Sequence, residues 1–176
     1  MADLARLAEL IKARNRTEVE IAVLVGRPAQ IGHLGEYIAS QMFDIKLHDS
    51  ASRYGSDGVF ASGPLMGRTV DIKWYAMNES ILDLHPEEAC DYYLVMTGPK
   101  PSGSPLRGAP RPWLICNVYL FHTSELLAAL QARGIRVGIA TSIRRTDWDA
   151  AEIYSRPSRN AFRLNEAQRQ LLAIFG

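Results

Sequence analysis

Apolar residues recur at helical spacing through the first forty positions and then switch to alternation. Leu4, Leu7, Ala8 and Ile11 mark an amphipathic helix over 2–14. Thr17 followed by Glu20 has the form of a capping box and predicts a second helix running to about Val25, with Gly26 as its stop. Pro28 opens a third helix, about 28–43, whose stripe is Ile31, Leu34, Ile38 and Met42. Ile45 to Leu47 then reads as a short strand and 48–56 as a polar loop. Asp57 to Ala61 and Arg68 to Ala76 read as the two strands of a hairpin turned by Ser62 to Gly67. In the second of them Val70, Ile72 and Trp74 alternate with Asp71, Lys73 and Tyr75, so one face is apolar and the other carries the polar groups.

Farther along, Tyr92 to Thr97 is a nearly continuous apolar run, the pattern of a strand covered on both faces. The Pro/Gly/Ser-rich stretch Gly98 to Pro112 is too long for an ordinary connection. After it come a strand within Trp113–Phe121, a helix capped by Thr123 and ended by Gly134, and a last strand over Val137–Ile143. Thr146 with Asp149 predicts a short helix. Asn165 starts a C-terminal one with Leu171, Leu172 and Phe175 turned inward. Helices, then a hairpin, then strand–helix–strand make a mixed α/β domain. We expect a helical extension at 1–27, a core at 28–143 and a helical segment at 144–176, all in one domain.

Bulk properties narrow the classes. At 176 residues and 47% hydrophobic the chain can bury a sizeable core. It has no apolar run of bilayer-spanning length, and Asp3 and Glu9 interrupt the N-terminal leucines, so we expect a cytoplasmic protein without a membrane partner. Cys90 and Cys116 form neither a C-x-x-C pair nor a metal cluster and read as reduced thiols. Net charge is +1, which advertises no general basic field.

Chemistry concentrates between Glu36 and Lys73. Asp71 and Lys73 leave one strand on the same face. If Asp57 lies at a neighbouring position of the hairpin, two carboxylates converge, and a hard divalent cation such as Mg²⁺ or Mn²⁺ suits them. Lys73 beside it would orient or deprotonate a water, or stabilise developing negative charge. Together these are the parts for metal-assisted phosphodiester hydrolysis. The same residues also have a plain reading: Asp71 and Lys73 as a surface ion pair, Asp57 as a turn residue beside Gly58, and Glu36 as a solvated helix residue.

Glu36, Asp57 and Asp71-Ile72-Lys73 resemble the PD-(D/E)xK nuclease superfamily, which has the restriction-endonuclease-like fold. Asp57 lies 21 residues after Glu36 and 14 before Asp71. Ser56 stands where the superfamily motif has proline. The stretches IGHLGEYIA and VDIKWY are also similar to an uncharacterised bacterial domain family placed near these nucleases. The resemblance covers about 28–143. It implies a Mg²⁺-dependent DNA endonuclease of restriction or repair type, with Asp57 and Asp71 on the metal, Glu36 completing its coordination and Lys73 assisting the nucleophile. His33 shares a helix face with Glu36. Arg107 and Arg111 in the long loop, and Arg144 and Arg145 at a helix start, are the further candidates for contact with nucleic acid. His48, Ser50, Ser52, Tyr54 and Ser56 line the loop leading into Asp57. Alternatives are a non-catalytic module binding nucleic acid or protein, and a subunit of a defence or toxin-type complex. A homodimer through the N-terminal helices is a further expectation.

Overall fold

The alternation at 69–75 is the spine of the molecule. The computed structural model describes residues 2–49, 55–86, 89–101, 111–156, 160 and 162–176. In it β3 (Thr69–Tyr75) buries Val70, Ile72 and Trp74 on one face and leaves Asp71, Lys73 and Tyr75 half-buried on the other. Five strands join it in one six-stranded mixed sheet, ordered β1 (Ile45–Leu47), β2 (Gly58–Phe60), β3, β5 (Tyr92–Thr97), β6 (Asn117–His122) and β8 (Glu152–Tyr154). Neighbours pair antiparallel except β3 and β5, which run parallel from Val70↔Tyr92 to Tyr75↔Thr97. An Asp91 clamp holds the start of that parallel pair. Its Oδ2 accepts from Thr69 N (2.7 Å) and Thr69 Oγ1 (2.8 Å), and its own N–H donates to Thr69 Oγ1 at 2.9 Å.

Each face of the sheet has its own core. Helix α2 (Ile31–Phe43) and helix α5 (Glu166–Ala173) cover the first, where Ala39, Met42, Phe43 and Leu172 meet Val70, Ile72, Trp74, Leu94 and Met96. Gly35 permits the close seating of α2, because a Cβ there would stand 3.0 Å from Trp74 Cβ. Gly58 does the same between strands: a Cβ would lie 2.6 Å from the Lys46 carbonyl. Both glycines therefore serve packing. On the second face α3 (Thr123–Gln131) and α4 (Arg145–Ala151) bring Leu126, Leu130 and Trp148 onto Tyr93, Val95, Tyr119 and Phe121. The segment after β3 is pinned there by tyrosine hydroxyls: Tyr75 accepts from Asp83 N (2.9 Å), Tyr93 from His85 N (3.1 Å) and Tyr119 from Asn78 Nδ2 (3.0 Å). Buried Tyr and Asn groups are matched in this way because an unpaired one is costly.

Several expectations change. The two N-terminal helices are one, α1 (Ala2–Val25). Thr17 Oγ1 donates back to the Ala13 carbonyl at 3.2 Å instead of capping, and Arg14 bonds Glu18 across the expected break. Val137–Ile143 is not a strand of the main sheet. Ala140 turns at φ 56°, and only β7 (Thr141–Ser142) is extended, pairing with β4 (Ile81–Leu82) in a separate two-stranded ribbon. The sheet instead takes its last strand from Glu152–Tyr154, past residue 143, directly off the end of α4. Leu171 is exposed, whereas Leu172 is buried and Phe175 packs against the first core. The Asn165 cap is present, with reciprocal bonds to Gln168 of 2.8 and 3.0 Å. Both cysteines are free, Cys90 buried and Cys116 half-buried.

Candidate active site

Asp57 and Asp71 meet because β2 stops short. Its last pairing toward β3's interior is Gly58↔Val70, and Asp57, one residue before, comes level with Asp71. The Asp57 N–H donates to Val70 O (2.9 Å), and its carbonyl accepts from His48 N (2.8 Å), so the backbone is held on both sides. With no strand residue left to take the Ile72 N–H, Asp57 Oδ2 accepts it at 2.6 Å. The carboxylate is thus folded against β3 beside Asp71. Lys73, two residues on and on the same face, brings Nζ to 2.7 Å from Asp71 Oδ1.

Asp71 Oδ1 is buried, and the Lys73 ammonium faces it in this ion pair. The Asp71 side chain keeps 18% of its surface. Burial pushes its carboxyl up to about 6; Lys73 opposes the rise, and the charge and hydrogen bonding of Asp57 add to it. Cys90 sits under Asp71 with its Sγ 3.6 Å from Thr123 Oγ1, and burial raises its thiol to about 11. Such a thiol is a packing group and not a nucleophile.

Glu36 does not join this cluster. It lies next to Gly35 on α2, which packs against the Trp74 face of the sheet, while Asp71 and Lys73 leave the other face. Its carboxylate is engaged by Arg27. Among the described residues no three His, Cys, Asp or Glu side chains gather as a metal-ligand set. His33 is half-buried on the same helix, with Nδ1 3.0 Å from the Pro28 carbonyl. Arg111 bonds Glu79 at 3.0 Å, Arg144 is exposed ahead of α4, and Arg145 lies 3.6 Å from Asp149. Arg107 lies outside the described residues, as do Ser50, Ser52 and Tyr54 of the loop before Asp57. Ser56 is buried, with Oγ 3.4 Å from His48 Nε2.

The donor set fits a hard divalent cation once Lys73 turns from Asp71 Oδ1: two adjacent carboxylates, one with a raised pKa that binding of a cation would relieve. Two carboxylates leave the remaining positions to water and to substrate oxygens, the usual way Mg²⁺ is held. Sequence reasoning passed over Arg27, read Cys90 only as a reduced thiol, and passed over Asp91. The parallel pairing of β3 with β5 brings the last two to the site, and no local signal announces it. Compared with models of known protein families and with curated proteins, the chain matches none. Among the described residues no helix is long and apolar enough to cross a membrane.

Proposed function

We propose that the chain is a Mg²⁺-dependent endonuclease of PD-(D/E)xK type, on a restriction-endonuclease-like core, that hydrolyses DNA phosphodiester bonds. The observation that supports this reading is the meeting of Asp57, Asp71 and Lys73 on one polar face of β3. Asp57 and Asp71 would hold the cation. When bound, it supplies charge neutralisation at the phosphate and lowers the pKa of a water. Asp57 is oriented by the Ile72 N–H, so its carboxylate needs no reorganisation to serve. The Lys73 ammonium, already paired with Asp71, is placed to offset charge developing on the phosphate or to steer a proton at the attacking oxygen. Glu36 contributes only if its pair with Arg27 is given up. Arg111, Arg144 and Arg145 are positions for backbone phosphate contacts, which set register and not sequence.

The test is cleavage of supercoiled and linear duplex DNA with Mg²⁺ or Mn²⁺, comparing wild type with Lys73→Ala and Asp71→Asn. Activity lost in both folded variants supports the reading; activity unchanged in Lys73→Ala sinks it. One observation favours a second reading, a non-catalytic module on the same fold: Glu36 is held by Arg27, so the site offers two protein carboxylates. DNA binding that falls with salt, needs no metal and survives Asp71→Asn would select that reading.

A further inference from the structure

Helix α1 carries a stripe at heptad spacing: Leu4, Leu7, Ile11, Arg14, Glu18, Ile21 and Val25. Its two halves differ. Glu18, Ile21, Ala22 and Val25 are half-buried where α1 touches α2. Every residue from Asp3 to Thr17 is exposed. On that free half Leu4 keeps 71% of its surface, Leu7 51%, and Leu10 and Ile11 49% each. At 24 residues the helix is about 36 Å long, so more than half of it projects from the body with leucines along one side. A contiguous apolar stripe of this kind on a folded chain marks a surface that is covered in use.

From this stripe we infer that α1 pairs with α1 of a second copy of this chain, antiparallel, about a two-fold axis near the level of residue 9. Charge selects this occupant. The free half carries Asp3 and Glu9 against Arg6, Lys12, Arg14 and Arg16, so both signs are present for a pairing of the helix with itself. The one cation on the free part of the stripe is Arg14. Asp3 lies 11 residues before it, three turns away on the same line of the helix. In an antiparallel two-fold pair, like flanks face each other. Arg14 therefore meets Asp3 of the partner subunit, and Asp3 meets Arg14 of the partner subunit. The same register sets Leu7 against Ile11 of the partner subunit, and lays the methylenes of Arg14 over Leu4 of the partner subunit. A parallel pairing would put Arg14 beside Arg14. The interface is isologous and closes on itself, so it gives a dimer and no larger array.

The test is size-exclusion chromatography with light scattering on the full chain. Wild type is expected to be a dimer at tens of micromolar, and Leu7→Arg a monomer. Near-ultraviolet circular dichroism from the buried Trp74 and Trp148 should be unchanged in that variant, since Leu7 lies on the exposed half of α1. Asp3→Arg and Arg14→Asp should each weaken the dimer by roughly tenfold or more. Mixed in equal amounts, the two variants should form a heterodimer within about threefold of wild-type affinity, because both cross-pairs are then restored. A monomeric wild type overturns the inference, as does a dimer indifferent to Leu7→Arg. So does a mixture that stays as weak as its components, or a monomer that binds anionic phospholipid vesicles in place of a second copy.

Discussion

The two faces of β3 follow opposite rules, though their residues alternate along one strand. Under α2, Val70, Ile72 and Trp74 meet apolar groups, and shape decides everything: Gly35 is there because a methyl would collide with Trp74. On the other face polar atoms are buried too, and the tyrosine hydroxyls find partners in the segment 78–85. There the buried Asp71 Oδ1 faces the Lys73 ammonium at 2.7 Å, beside the Asp57 carboxylate. The comparison teaches where to look for function. A face that gathers two neighbouring carboxylates and an ammonium, one carboxyl with its pKa raised by burial, is the one to test for chemistry.

The comparison can be broken at several strengths. The largest effect belongs to the polar face. Asp71→Asn is expected to lower metal-dependent DNA cleavage on the order of a thousandfold while the fold persists, as measured by single-turnover nicking of a plasmid. On the apolar face Trp74→Ala should cost about 3–5 kcal/mol in urea unfolding, because it empties the space that Gly35 and Met96 enclose. Without metal, Asp71 should set a pH dependence. Its carboxyl stands at about 6 against an ordinary 3.8, so between these values the folded chain binds more protons than the unfolded one. Its contribution to stability is therefore greatest near pH 4 and lost as pH rises through 6, by on the order of 2 kcal/mol. Urea titrations at pH 4 and pH 7 should show that difference shrink in Asp71→Asn, and shrink in wild type when Mn²⁺ is added. The smallest effect lies away from both faces. Asn165→Ala removes the α5 cap and should cost about 1 kcal/mol by thermal melting.

Much of the candidate site was legible before any coordinates. Period-two alternation put Asp71 and Lys73 on one face, and a hairpin of the right length brought Asp57 level with them. Such inferences need only the pleat of a strand and the length of a turn. Glu36 was not legible in the same way. Helical spacing says which side of α2 it occupies, but its neighbours depend on how α2 sits on the sheet, and Arg27 from the preceding turn reaches it there. The long N-terminal helix was misread for a related reason. Thr17 and Glu20 form a cap only if the chain before them leaves helical geometry, and the residues there favour helix.

What the sequence determined by itself was local: most of the elements, the face each residue of β3 takes, and the identity of Asp57, Asp71 and Lys73 as the groups that meet. Periodicity and capping act over a few residues, so a string of letters carries them. Tertiary structure alone decided that β3 runs parallel to β5, that the last strand is Glu152–Tyr154 and not Val137–Ile143, and that Asp71 is buried against Lys73 while Glu36 pairs with Arg27. These outcomes depend on which distant segments pack together. Short strands such as β7 and β8 gain too little locally to be extended on their own, so only their neighbours make them strands.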